Sequence, residues 1–299
     1  MYGYDAISQL TSFTRGTNVS NTYEFDLLGN RVRTSENGEE TTYTSNNINA
    51  YTAIKGKYSF TPTYDNNGNL LNDDKHTYQY DYNNKLIGVD NDSYTYKYDA
   101  LGRRIAKTNI SYFYAGDQMV EEIANGITNS YVYGNEIDEI LQITRGNEVY
   151  YYHTNHLGST MAISEINGNL KERVEYDVYG KPSFFDASEN SLAQSCIGNT
   201  ILFTGREYDY ETETYYFRAR TQHPMIGRFM QKDPLMYIDG LNDYAYVGNM
   251  PIIYIDASGT NIINTLKNVM KIAKRFPGKV AKTRQDKPSP NSIFDLSKK

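Results

Sequence analysis

Tyrosines and aliphatic residues alternate with polar residues in short runs along most of the chain. Tyr78 and Tyr80, and then Tyr94, Tyr96 and Tyr98, stand two residues apart with polar residues between them, which is the period of a strand with one buried face. The runs end in clusters of Asp, Asn and Gly, residues that supply positive φ and side-chain acceptors for tight turns. The pattern predicts many short antiparallel strands joined by hairpin turns. After residue 260 the period changes. Over 261–276, Ile262, Leu266, Val269, Met270 and Ala273 fall on one helical face with Lys267, Lys271 and Lys274 elsewhere, predicting a short C-terminal amphipathic α-helix. Phe276-Pro277-Gly278 ends that pattern, and the polar, basic stretch 279–299 predicts a segment without a packed core.

The strand-and-turn pattern is a repeat. An aromatic, usually Asp, two or three turn residues and an aliphatic or basic residue recur as Tyr4-Asp5, Phe25-Asp26-Leu27-Leu28-Gly29-Asn30-Arg31, Tyr64-Asp65-Asn66-Asn67-Gly68-Asn69-Leu70, Tyr80-Asp81-Tyr82-Asn83-Asn84-Lys85-Leu86 and Tyr98-Asp99-Ala100-Leu101-Gly102-Arg103-Arg104. A looser copy is Tyr176-Asp177-Val178-Tyr179-Gly180-Lys181. One hairpin is marginal alone, whereas stacked units protect one another's edges in a continuous sheet.

Composition sharpens this picture. Tyr occurs 30 times against 11 Phe and no Trp, and a tyrosine ring suits a half-buried pleated surface while its hydroxyl reaches a polar partner. Cys196 is the single cysteine, so no intramolecular disulfide can form. The start of the chain shows neither a basic nor an apolar leader region, and no apolar run reaches the roughly 20 residues of a membrane-spanning helix. The first repeat-like unit, Tyr4-Asp5-Ala6, opens at once, which suggests a piece of a longer polypeptide or a truncated gene. Residues 261–299 carry ten Lys or Arg and two Asp, a net of +8 that leaves −14 on the rest of the chain. That asymmetry marks a boundary.

The repeats resemble the YD repeats of RHS proteins, of the C components of insecticidal toxin complexes, of wall-associated bacterial proteins and of animal teneurins. A longer ordered resemblance begins at Tyr151-Tyr152-His153-Thr154-Asn155-His156-Leu157-Gly158-Ser159-Thr160. It continues through Phe203-Thr204-Gly205-Arg206-Glu207, Arg218-Ala219-Arg220, Gly227-Arg228-Phe229, Asp233-Pro234, Asn242-Asp243-Tyr244-Ala245-Tyr246 and Asn249-Met250-Pro251. The resemblance implies a mainly β chain: a curling antiparallel YD-repeat sheet forming a partial shell, with a C-terminal core plug. It also implies three parts, namely YD repeats over 1–150, the RHS repeat-associated core over 151–260, and a basic variable tail over 261–299 that is a truncated toxin or its leading segment.

In self-cleaving members the core holds an intramolecular aspartic protease that cuts just beyond it. Carried over by position, the family pattern falls on Arg220, Asp233 and Asp256, with the cut at the Gly259-Thr260 or Thr260-Asn261 bond. The chemistry is intelligible by itself. Two close carboxylates do not both ionise cheaply, so one serves as acid while the other activates water, and Arg220 favours the ionised partner. Such a site acts once per chain, with the fold supplying effective concentration. Ala257 stands where the family pattern has Pro, and Thr260 where a bulky apolar residue is usual, which frees the backbone presenting the bond and fills its pocket less.

Other candidates carry less. His153 and His156 with His223 lack the Cys or Glu that would complete a zinc pattern. Asp65-Asn66-Asn67-Gly68-Asn69 has its Gly misplaced for a calcium loop. Cys196 has no basic or His neighbour in sequence, and no phosphate-binding glycine loop is present. No metal or cofactor is expected. The expected partners are the chain's own C-terminal segment as encapsulated cargo, further shell repeats, secretion machinery and an immunity protein, with nucleic acid not expected. A secreted or cell-surface parent acting in bacterial competition fits this reading. Its rivals are an extracellular adhesion or glycan-binding module displaying tyrosines, and an inactive gene fragment.

Overall fold

The repeat turns are built identically from one side chain. Asp5, Asp26, Asp65, Asp81, Asp99 and Asp177 each accept, on Oδ1, the amide N–H groups two and four residues ahead. Asn46 and Asn155 do the same. Each of these first residues also donates its own N–H to the carbonyl four residues on, so a five-residue loop is closed by three bonds with one acceptor side chain at its centre. The register shifts at the residue before the Asp or Asn, as at Tyr4, Phe25, Ser45, Tyr64, Tyr98 and Thr154, a bulge that turns the strand into the loop.

The computed structural model describes residues 1–16 and 19–264. Among them nearly everything regular is β. Six strands from Tyr2–Tyr4 to Tyr51–Gly56 form one antiparallel sheet in chain order, and thirteen from Tyr78–Tyr80 to Ser191–Leu192 form a second, also in chain order. A short hairpin, Thr63–Tyr64 with Leu70–Asn72, lies between them in sequence. Neighbour-to-neighbour order is what a ribbon of stacked hairpins requires, and neither sheet closes on itself. Nearly all of the helix expected over 261–276, and the segment after it, lies outside the described residues.

One face of the ribbon is buried, as the alternation predicts. Tyr23, Tyr43, Tyr78, Tyr96, Tyr112, Tyr131 and Tyr150 are all buried, each with polar or exposed neighbours in its strand. Hydroxyls of flanking tyrosines meet backbone, Tyr98 donating to the Leu86 carbonyl, Tyr114 to Arg104 and Tyr176 to Thr160, while Tyr78 donates to the Asp73 carboxylate and Tyr150 to that of Glu148.

Residues after Leu192 pack against the buried faces of both sheets. After Leu192 the strands shorten into a separate four-stranded sheet, Glu207–Asp209, Thr214–Phe217, Arg220–His223 and Arg228–Phe229, buried on both faces. Phe217, Phe229 and Tyr246 pack edge to face with one another. One apolar cluster joins them to Leu10, Phe13 and Tyr23 of the first sheet, to Val174 and Phe184 of the second, and to Tyr179 in the turn between those two strands. Polar anchors run from this core to the repeat turns. Asn249 Nδ2 donates to the Gln9 side chain and the Gly29 carbonyl, Arg228 to the Asn49 carbonyl and Asn30 Oδ1, and Tyr244 to the Gly68 carbonyl. Lys85 in turn donates to the Arg218 carbonyl. Successive Asp and Asn turns therefore gather along one edge of the ribbon, and that edge is seated on the core.

Candidate active site

Arg220 lies at the start of a core strand and is almost wholly buried, with its guanidinium 3.6 Å from the centre of the Phe229 ring. Its Nη2 is 2.9 Å from Asp233 Oδ2 and 3.1 Å from Asp256 Oδ2. The two carboxylate oxygens are thus no farther apart than those two contacts laid end to end. Its Nε donates to the Gly259 carbonyl at 2.6 Å and its Nη1 to the Asp243 carbonyl at 3.0 Å. The structure brings these three residues together and places the Gly259 carbonyl against them.

Asp256 Oδ1 accepts the N–H of Thr260 at 3.0 Å and of Asn261 at 3.1 Å, the i to i+4 bond of a repeat turn used once more. The Gly259-Thr260 peptide bond is consequently held at both ends: its oxygen by Arg220 and its nitrogen by Asp256. Asp233 ties its own loop in the same manner, Oδ1 accepting the Leu235 N–H at 2.8 Å. Burial raises the Asp233 carboxyl above the ordinary range, against the pull of Arg220. Burial likewise lowers Arg220, against Asp233 and Asp256. Asp239 Oδ2 accepts the Ile262 N–H at 3.1 Å and adds a third carboxylate, also raised by burial. These side chains enclose a space of about 10 Å3 for a water centre, roughly one molecule.

The turn 257–259 is held from outside as well. The Ala257 carbonyl accepts from Arg206 Nη1 at 3.0 Å and Arg218 Nη1 at 2.6 Å, and both guanidiniums pair with Asp138. Ser258 Oγ bonds Asp256 Oδ1 at 3.3 Å and Thr260 Oγ1 at 2.8 Å. Where Ala257 replaces the Pro of the family pattern, side chains restrain the backbone instead. Gly259 has φ +73°, and a Cβ there would lie 2.2 Å from the Phe217 carbonyl oxygen.

Sequence reasoning missed Asp138, Arg206, Arg218 and Asp239. Arg206 and Arg218 sat inside quoted motifs, yet nothing local announced their target. Asp138 lies in a shell turn without the repeat signature. The other candidates are dispersed. His153 Nε2 meets Ser164 Oγ, His156 Nε2 meets the Ile252 carbonyl and His223 Nε2 meets Asp73. Burial pushes the Cys196 thiol up to about 11, away from nucleophilic use. Asp65 closes an ordinary repeat turn.

Comparison with known proteins agrees with the turns and the sheet order. The Teneurin YD-shell family matches residues 1–252. The tRNA3(Ser)-specific nuclease WapA of Bacillus spizizenii is 34% identical over 277 residues, covering 86% of this chain and 12% of that protein. Toxin protein Tse5 of Pseudomonas aeruginosa is 32% identical over 111 residues, 37% of this chain and 8% of that one. This chain therefore spans only a small part of those relatives' length. The crystal structure of TcdB2-TccC3 shares the fold at TM-score 0.51 and 19% identity, over 86% of this chain and 18% of that one. No described helix is long and apolar enough to cross a membrane. With its hairpin ribbon in chain order and the match over residues 1–252, the chain belongs to the Teneurin YD-shell family, as a YD-repeat shell protein of the RHS type.

Proposed function

We propose that this chain is the shell and core segment of an RHS-type polymorphic toxin, and that its core cuts the chain once, at the Gly259-Thr260 or Thr260-Asn261 bond. The observation that carries this reading is the single guanidinium of Arg220, which bridges Asp233, Asp256 and the Gly259 carbonyl. The Gly259-Thr260 bond is the better held of the two.

In this mechanism Asp233, whose proton burial holds more tightly than an ordinary carboxyl's, is the acid. Asp256, surrounded by donors, is the base. Water in the small space between them attacks the Gly259 carbonyl carbon and passes a proton to Asp256. Arg220 Nε stabilises the negative charge that develops on the carbonyl oxygen. Asp233 protonates the Thr260 nitrogen, the C–N bond breaks, and a Gly259 carboxylate and a Thr260 amine result. The substrate is already in place, so the fold substitutes for binding.

This reading divides the chain into repeats over 1–150, core over 151–260 and a basic tail over 261–299 that leaves with the fragment beyond the cut. Relatives named as a nuclease and a toxin support a toxic cargo for the parent protein. The cargo is the chain's own C-terminal segment, and an immunity protein and secretion machinery complete the system of a secreted or cell-surface parent. The test is mutational. Asp233→Asn and Asp256→Asn are each expected to leave the chain uncut, with cutting in the wild type read by intact mass. Equal cutting in either variant rejects the aspartic mechanism.

A further inference from the structure

We propose that Asp138, through Arg206 and Arg218, is the positioning residue of the cleaved turn, and that it makes cutting conditional on the folding of the shell strands around it. This inference rests on the self-cleavage reading above.

Asp138 sits at φ +53° in the turn between the shell strands Ile127–Tyr133 and Ile140–Arg145. It is 9% exposed, and its two oxygens take one arginine each, Oδ2 pairing with Arg206 Nη2 and Oδ1 with Arg218 Nη2. Each arginine then sends Nη1 to the same acceptor, the Ala257 carbonyl. A carbonyl has two lone pairs, and both are filled by charged donors, the stronger kind of hydrogen bond. Two like-charged guanidiniums converging on one oxygen repel each other, and a carboxylate paired with both offsets that repulsion. Asp138 supplies it, and it comes from an element 119 residues before Ala257 in the chain.

The consequence falls on the next peptide units. Ala257 joins Asp256, the base, to Ser258 and Gly259, whose carbonyl faces Arg220. A fixed Ala257 carbonyl sets the plane from which the rest of the turn is hung. Without the clamp, the turn keeps the bonds made by Asp256, Ser258 and Arg220 and the Ala219 N–H donated to the Ser258 carbonyl. Arg218 also donates to the Asp117 carbonyl of a second shell turn. Neither shell contact exists until the strands bearing Asp117 and Asp138 are laid down, so an incompletely folded shell leaves the turn unclamped. A cut made only after this step releases cargo into a shell already built there.

The test uses the full chain carrying Asp233→Asn, which holds it uncut, with and without Asp138→Asn. Hydrogen exchange at the Thr260 and Asn261 amides is expected to rise about tenfold in Asp138→Asn, while the amides of the first sheet exchange as before. Adding Ala257→Pro, which fixes φ where the Ala257 N–H has no hydrogen-bond partner among the described residues, is expected to restore slow exchange. Unchanged exchange at those two amides, or a rise spread over the whole core that Ala257→Pro does not reverse, overturns the clamp. Should Asp138→Asn fail to fold, Arg218→Gln removes one donor and is expected to give an intermediate rise, and no rise overturns the proposal equally. With Asp233 intact, Asp138→Asn is expected to slow cutting about tenfold and to spread it over both bonds. An uncut wild type rejects the cleavage reading, and the exchange experiment still decides the clamp.

Discussion

Asp233 and Asp256 use their two oxygens for different purposes. Oδ1 of each secures its own loop, and Oδ2 of each faces Arg220. A turn-forming aspartate has thereby been given a second partner, so that two such residues face each other across one guanidinium. Because burial raises Asp233, its acid form persists to higher pH than that of an ordinary carboxyl. The rate of a single cut is expected to fall as pH rises through that value, measured by pH jump on freshly synthesised chain. The linkage has the same sign. The folded state holds this proton more tightly than the unfolded one, so the stability Asp233 contributes is full at low pH and is lost as pH rises. Gly259 admits no side chain beside the Phe217 carbonyl. Gly259→Ala is expected to cost about 1–3 kcal/mol in urea unfolding and to stop the cut, whereas an unchanged midpoint and cut contradict this geometry.

At the scale of the element, the repeat turn was legible because its chemistry is local. Asp or Asn, its two amide donors and the closing carbonyl all lie within five residues, and the sequence displays them together. Tyr78 and Tyr96 were legible as a buried face for the same reason, through the period of two. Their burial also counts against a module that displays tyrosine rings to a glycan, since the alternating tyrosines point into the protein. The turns differ in what they hold. Asp65 also accepts from Asn69 Nδ2 and lies under Tyr244 of the core, which donates to the Gly68 carbonyl. Asp186 makes the same local bonds in an exposed turn. Asp65→Ala is expected to lower stability by about 1–3 kcal/mol and Asp186→Ala, in its exposed turn, by clearly less. Equal shifts in urea midpoint would show that core contact adds nothing to a turn.

Across the whole molecule, the contacts that seat the ribbon on its core are long in sequence, and this is why they were not legible. Arg104 is buried beneath the Tyr216 ring and pairs with Glu207 and Asp209, while Lys107 reaches Asp209 and Glu211. Nothing near Arg104 in the chain distinguishes it from Arg103, whose side chain bonds Asp99 and is more exposed. The strand period decides between them, but only a fold that brings residue 209 to residue 104 reveals why a charge belongs inside. Removing one member of such a network leaves others buried and unpaired. Arg104→Ala is therefore expected to cost about 3–5 kcal/mol, against little for Arg103→Ala, in urea unfolding of the full chain. Arg220, Asp233 and Asp256 were named from a family pattern and do meet. Asp138 was not, because its role depends on a shell turn touching a core carbonyl.

The most direct measurement is the sequence of the amino terminus of any fragment released from the purified full-length chain, read by tandem mass spectrometry. The account predicts one fragment beginning at Thr260 or Asn261, formed within a single chain and therefore at a rate independent of protein concentration. A chain that stays whole after folding, or a fragment beginning at any other residue, contradicts it.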